Sequence, residues 1–344
     1  MKKYILVESV NENYNAGFKA ADDIKTILLS CGFIPIKLEM KKNSFFLNKY
    51  IEYLKNDMEL IKNIERESII VVQTPTTFTR YVLSYYISVL RKKGCKIIGV
   101  IHDIEHLRYK LSNRKIKLEI KVFKLLDQLI VHNEKMKKYF MEIGFKEEQL
   151  HCIEIFDYLA DGKIENRSIE KANAIVVAGN LLPEKAGYIY KMKDIFNPLK
   201  VKLYGANYRE QYSLDVTYCG KFPSNEVPNI ISQEDNLFGL VWDGDSIDEC
   251  SGLIGNYQKY NNPHKLSLYL ASGLPVIVWN KAASSSFVKE NKVGICVDSL
   301  REIKYRISSM SQSEKEELCN NAVEIGSKLR RGYYTEKVLN EILG

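Results

Sequence analysis

Short apolar runs alternate with longer amphipathic stretches along this chain. Residues 3–8, 33–38, 68–73, 96–101 and 128–131 are brief runs dominated by Ile, Val and Leu. Such runs predict strands buried on both faces of a parallel sheet. Between them, residues 15–31 and 45–62 space their apolar side chains at helical intervals, as crossover helices would. A polar stretch, 157–171, has no apolar periodicity and predicts a linker. The pattern then restarts, with strands predicted at 173–178, 200–204, 216–219, 237–241, 275–278 and 294–297. Helices are predicted near 183–193, 225–232, 263–271 and 284–290, with a helical tail over 311–343. The expected fold is α/β, two Rossmann-like doubly wound domains in series, at 1–158 and 171–328.

Residues 261–279 carry the most specific local signal. Asn262 suits a helix N-cap, Pro263 the first helical turn and Gly273 the stop. A β-branched run, 276–279, follows as a strand. A helix that begins there would offer its first amides and Lys265 to a phosphate. An ordinary αβ unit would carry the same pattern.

Composition narrows the class. The chain has 344 residues and 45% hydrophobic content, enough for two cores. Its start, MKKYILVESV, has too short an apolar run for a signal peptide and reads as the first strand. The seven cysteines form no CxxC pair, and the five histidines have no HExxH-type spacing. Reduced thiols in a cytoplasmic protein, with no structural metal, are expected. Residues 1–160 hold 27 Lys and Arg against 20 Asp and Glu, so the whole net charge of +7 lies in the first half. Eleven of those bases fall within 91–124, where apolar residues also recur at helical spacing. That pattern fits either a packed helix with a solvated basic face or a peripheral contact with an anionic membrane. No nucleic-acid recognition motif accompanies the charge.

Candidate chemistry sits at the strand ends, where open α/β sheets bind ligands. Asn15, Ala16 and Gly17 follow the first strand; they form no GxGxxG motif, and Gly17 suits tight strand–helix packing. Thr74 ends the third strand. His102, Asp103 and Glu105 end the fourth, with Asp103 the candidate general base, His102 its alternative, and Thr74 and Glu105 on the acceptor side. In the second half, Gly179, Asn180 and Lys185 follow the first strand. Tyr204 and Tyr218 stand beside glycines at later strand ends, able either to stack on a base or to anchor the core. Trp242, Asn261, His264 and Lys265 complete that face, while Ser267 and Tyr269 are expected to pack.

The run from Phe238 to Asp243, followed by PHK-x-x-x-YLA-x-GLPV from Pro263 to Val276, resembles the donor-binding half of GT-B glycosyltransferases. More closely, it is similar to a bacterial family with two kinds of member. One is the glucosyltransferase that extends GlcNAc on serine-rich adhesins; the other is the β-1,6-galactofuranosyltransferases. Asn15-Ala16-Gly17-x-Lys19-Ala20-x-x-Asp23 matches the second branch. Many GT-B enzymes carry two glutamates seven residues apart where this chain has Asn261 and Leu268. That departure excludes the commoner pattern and agrees with the smaller family. Leu329–Thr335 (LRRGYYT) resembles the family's closing motif, which implies that the helix at about 329–344 packs back on the first domain.

The resemblance implies a cytoplasmic glycosyltransferase that moves glucose or galactofuranose from a UDP-sugar to a saccharide on a lipid or polypeptide. It implies a homo-oligomer, with Lys185, Lys265 and helix amides rather than a metal stabilising the leaving diphosphate. Two rivals share the fold: a UDP-GlcNAc 2-epimerase, and a non-catalytic accessory subunit of a glycosylation complex. The first needs more cleft carboxylates than this chain offers, and the second would not need Asp103, Asn180, Tyr218 and Lys265 together.

Overall fold

The computed structural model describes residues 1–8, 16–39, 47–76, 79–165, 167–170, 172–192, 195–209 and 216–344. The chain divides into two compact units. The first is Ala21–Ile153 with the N-terminal strand and Thr335–Gly344; the second is Glu154–Tyr334 with the first turn of the first helix.

In the first half the elements run β1 (Lys3–Glu8), α1 (Ala16–Ser30), β2 (Ile34–Leu38), α2 (Leu47–Asn63), β3 (Ile69–Thr74) and α3 (Arg80–Lys92). They continue with β4 (Lys96–Ile101), α4 (Glu105–Arg108), α5 (Asn113–Phe123), β5 (Gln128–Val131), α6 (Glu134–Glu142) and β6 (Leu150–Cys152). The strands form one six-stranded sheet in the order β2-β1-β3-β4-β5-β6, and every pairing is parallel. Its order reverses between β1 and β3. β3 and β4 align from Ile69↔Lys96 to Thr74↔Ile101, so their C-terminal ends are level. The Ile and Val side chains of these two strands are almost all buried. At roughly 1.5–3 kcal/mol for each such side chain, this central pair anchors the unit.

The second half runs β7 (Ala174–Asn180), α7 (Pro183–Ala186), β8 (Lys200–Ala206), β9 (Val216–Gly220), α8 (Val227–Ile231) and β10 (Leu237–Val241). Next come α9 (Gly252–Asn256), α10 (His264–Ala271), β11 (Val276–Trp279), α11 (Ser285–Glu290), β12 (Gly294–Val297), α12 (Ile303–Ser308), α13 (Gln312–Leu329) and α14 (Tyr333–Leu343). The second sheet is also parallel and six-stranded, in the order β12-β11-β10-β7-β8-β9. The reversal lies between β7 and β10, the Rossmann arrangement in which ligands sit beyond the two strands' carboxyl ends. The expected α/β fold of two doubly wound parallel sheets is therefore what the chain adopts. Among the described residues no helix is long and apolar enough to cross a membrane.

Four local expectations change. β6 was not predicted; it is three residues long, and its polar His151 bonds Gln128 Oε1 at 2.6 Å instead of joining an apolar run. The helix predicted over 183–193 stops at Ala186 and tightens to a 3₁₀ turn over Gly187–Tyr190. There Asp245 packs so closely that a Cβ on Gly187 would lie 2.3 Å from its Oδ1. Within the polar stretch 157–171, Asp157, Tyr158 and Ile169 are buried, so it packs despite having no periodicity. Asp157 accepts the Tyr334 N–H at 3.2 Å. Finally, α10 begins at His264 with Pro263 as its extended cap residue. Asn262 is not the cap; its Nδ2 donates to the Glu154 carbonyl at 2.6 Å.

Candidate functional site

In the second unit the switch point gathers residues from β7, β8, β9, β10 and α10. β7 ends at Gly179-Asn180, and β8 lies against it with Gly205 at φ +142°; a Cβ there would fall 1.8 Å from the Gly179 carbonyl oxygen. Glycine is thus the residue that lets the two strand tips close together. Asn180 Oδ1 accepts the Leu182 N–H at 3.2 Å and the Asn207 amide at 3.0 Å, which fixes the turn beyond the strand. From β9, the Tyr218 hydroxyl donates to the Gly205 carbonyl at 2.8 Å. Its ring, 43% exposed, stacks on Tyr208 at 5.2 Å, and Tyr208 stacks on Tyr190 at 6.0 Å. The sequence reading named Tyr218 but neither of the other two.

β10 delivers the charged part. Lys265, in the first turn of α10, donates to the Trp242 carbonyl and to Asp243 Oδ1, each at 2.8 Å. α10 is seated by Tyr269, whose ring occupies the space over Gly239 and whose hydroxyl accepts the Ala178 N–H at 2.7 Å. Burial alone would raise the Asp243 carboxyl. The positive charges of Lys265 and Lys185, with hydrogen bonds from Lys265 and Gln258, outweigh it and hold the group below its ordinary range. Gly244 N–H donates to the Lys185 carbonyl at 2.9 Å, tying α7 to the end of β10. Lys265 and Asp243 therefore pair at the first turn of α10, and the charge of Lys185 also acts on that carboxylate, a positive surplus suited to a phosphate.

The remaining second-unit candidates divide. His264 opens α10, its ring stacked on Tyr158 at 4.8 Å. The Asn261 side-chain carbonyl is buried with no hydrogen-bond partner among the described residues. The Trp242 side chain is fully buried in the core, where its Nε1 donates to the Ser246 carbonyl at 2.9 Å, while its backbone carbonyl accepts from Lys265. Tyr204 is likewise buried, its hydroxyl directed to Glu234 at 3.5 Å. Ser267 and Tyr269 pack, as expected.

In the first unit a cavity of about 470 Å³ opens beside the ends of β3 and β4. Thr74, Asp103 and Glu105 line it, together with Arg80, Tyr81, Arg114, Lys115 and Glu119, over a floor that includes Leu83, Leu118, Val122 and Phe123. Asp103 is paired with Arg108 and Glu105 with Arg80. His102 bonds Gln73 Oε1 through Nε2 at 2.6 Å, and desolvation lowers its imidazole to about 4. Glu119 was missed from the sequence. Its position was readable, because Ile116, Glu119, Ile120 and Phe123 share one helical face by spacing. Ala16 and Gly17 open α1, and Asn15 lies outside the described residues. Among the described residues no group of three or more His, Cys, Asp or Glu is placed to hold a metal ion.

Comparison with known proteins joins both halves. Residues 2–155 match the Glucosyltransferase 3-like, N-terminal domain, and residues 175–342 match the Glucosyltransferase 3-like, C-terminal domain. Beta-1,6-galactofuranosyltransferase WbbI of Escherichia coli (strain K12) is 34% identical over 264 residues, 76% of this chain and 75% of that one. Glucosyltransferase 3 of Streptococcus gordonii is 25% identical over 274 residues, 79% and 78% of the two chains. Among solved structures, Anabaena Alr3699/HepE in complex with UDP and glucose superposes with TM-score 0.61 at 13% identity, covering 99% of this chain and 98% of that one. The lipopolysaccharide outer core galactosyltransferase WaaB, in its apo form, gives TM-score 0.62 at 11% identity, covering 99% of each chain. These likenesses share the two-unit α/β fold.

Proposed function

The chain belongs to the Glucosyltransferase 3-like family, and on that basis we propose that it is a glycosyltransferase moving a hexosyl unit from a UDP-sugar to a saccharide acceptor. The observation that carries the proposal is the charge arrangement at the second sheet's switch point. Lys265 bonds Asp243 beside the first turn of α10 and the charge of Lys185 acts on the same carboxylate; a diphosphate would be held there. Gly179, Asn180, Gly205 and Tyr218 would line the nucleoside side. UDP-glucose and UDP-galactofuranose are the two donors suggested by the named relatives.

In the reaction, the bond from the anomeric carbon to the diphosphate oxygen breaks and a bond to the acceptor hydroxyl oxygen forms. Negative charge grows on the leaving UDP, and the lysines with the helix amides offset it. The acceptor hydroxyl's proton goes to a base. Asp103, a carboxylate lining the first unit's cavity, is the proposed acceptor for that proton. His102, the alternative base, is not among the residues that line this cavity, and its Nε2 bonds Gln73 Oε1 at 2.6 Å. With the two lysines binding the diphosphate, the reaction is proposed to proceed without a divalent cation.

Two properties of the whole protein are proposed with it: assembly as a homo-oligomer, and peripheral contact with anionic membrane through 91–124, where α5 exposes Arg114, Lys115, Lys117 and Lys121. Salt-sensitive co-sedimentation with phosphatidylglycerol vesicles tests the second.

The main experiment is UDP release from a panel of UDP-sugars, with GlcNAc- and galactose-terminated acceptors, in buffer with EDTA or with magnesium. Transfer from UDP-glucose or UDP-galactofuranose that ignores EDTA is the expected result. Failure of UDP to raise the melting temperature would overturn the proposal. So would conversion of UDP-GlcNAc without any acceptor product.

A further inference from the structure

Glu119 is a charged side chain in an apolar helix face, and its surroundings explain why it is there. It lies on α5, only 4% exposed, and a buried carboxylate is costly unless its lone pairs are filled. Four donors are arranged around it. Oε1 accepts the Glu105 N–H at 2.8 Å and lies 3.7 Å from an Arg80 guanidinium nitrogen. Oε2 accepts the His106 N–H at 3.2 Å and meets His106 Nδ1 at 2.6 Å. The far nitrogen of that imidazole, Nε2, meets the Tyr139 hydroxyl at 2.5 Å. One carboxylate thus ties α5 to the start of α3, to α4 and, through His106, to α6.

The two backbone donors matter most. Glu105 and His106 open α4, a helix of four residues whose cap residue, Ile104, gives no side-chain bond. The first amides of a helix have no partner within it. Glu119 fills that need from another element, in place of the missing local cap. The loop so held carries Asp103 and Glu105, both of which line the cavity beside Arg80 and Glu119 itself.

We infer that Glu119 is the positioning residue of the acceptor site: it sets the 103–106 loop so that Asp103 and Glu105 face the bound acceptor. The inference rests on the proposed transferase function for its kinetic consequence, but not for its structural one. Glu119 is 4% exposed with both carboxylate oxygens engaged, and it acts through the loop it holds. His106 and Tyr139 brace the carboxylate from behind, and Arg80 is shared between Glu119 and Glu105.

Two measurements on Glu119→Gln test this. Gln keeps the shape but loses the charge and one acceptor oxygen. Amide hydrogen exchange across 103–108 should quicken at least tenfold, while peptides from the second unit keep wild-type rates. Acceptor kcat/KM should fall by a factor of ten or more, with the UDP-induced rise in melting temperature unchanged. Tyr139→Phe, which keeps the ring and drops one hydroxyl, should move both readouts in the same direction by less, and it serves if Glu119→Gln does not fold. Wild-type exchange at 103–108 in both variants would overturn the inference. So would faster exchange with unaltered acceptor kinetics, or equal losses for donor and acceptor. If wild type itself shows no transfer, the proposed function fails, and the exchange arm still decides whether Glu119 holds the loop.

Discussion

Asp243 and Lys265 form an ion pair at 2.8 Å with side chains only about one-tenth exposed (10% and 13%), at the end of β10 and the start of α10. A pair this enclosed does not behave like a surface salt bridge, because removing one partner leaves the other desolvated. Lys265→Ala should weaken UDP binding by about 2 kcal/mol, roughly thirtyfold, the scale of a lost charge-assisted hydrogen bond. Asp243→Asn should do the reverse, since it leaves both lysine charges unopposed at the phosphate position. Calorimetric titration of the two variants with UDP separates the cases. Weaker binding in both would mean that Asp243 serves to hold the lysine in place.

How far the sequence discloses this site depends on whether a residue's role is local. The strands 96–101 and 237–241 are legible because a run that apolar has few other uses, and the PHK signal marks α10 to within a residue. Tyr204 and Tyr218 both stand beside a glycine at a strand end, and local pattern cannot separate them. The sheet does: β8 is flanked by β7 and β9, so Tyr204 is buried, whereas β9 is the edge strand and leaves Tyr218 half in solvent. Trp242 reads as a face residue from its motif but follows a central strand, and the core takes it. The Asp243–Lys265 pair spans 22 positions, and only the packing of α10 on β10 brings it together.

Asp103 should matter for turnover and not for the nucleotide. Asp103→Asn is isosteric and keeps a hydrogen-bonding contact to Arg108 within reach, so the first unit should fold normally. If Asp103 takes the acceptor's proton, turnover should drop by about 100-fold or more. UDP binding, which depends on the second unit, should stay at the wild-type level. Near-normal transfer by this variant would move the proton to another acceptor.

Gly205 offers a test of the second unit's backbone. Any Cβ at this position meets the Gly179 carbonyl oxygen at 1.8 Å, and φ is +142°, a region side-chain-bearing residues rarely enter. Neither β7 nor β8 can shift without breaking their shared register, which runs from Ala174↔Lys200 to Asn180↔Ala206. Gly205→Ala should therefore destabilise the protein by about 2–4 kcal/mol, the range of a strained, overpacked backbone site. Because the same strand tips line the UDP site, UDP should also lose affinity. Chemical denaturation with and without UDP reads both effects, and a variant as stable as wild type would contradict the close approach.

Acid should weaken the first unit before carboxylates titrate. Burial lowers His102 to about 4; burial first, then the charge of neighbouring His102, lowers His132 to about 3. His132 is 1% exposed, and its Nε2 bonds the Ile101 carbonyl at 2.9 Å, at the end of β4. Both imidazoles are thus neutral in the folded protein at pH 5, while in the unfolded chain they take up protons below about 6.5. The unfolded state then binds more protons, so stability falls as pH falls from 6.5 to 5. The slope is at most about 1.4 kcal/mol per pH unit for each histidine. Carboxylates contribute little in that window. Urea denaturation at pH 7.0, 6.0 and 5.0 measures the slope, and His132→Gln, which can still donate to Ile101, should make it shallower. A flat profile over that range would mean that water or a rearranged loop solvates these rings in the folded protein.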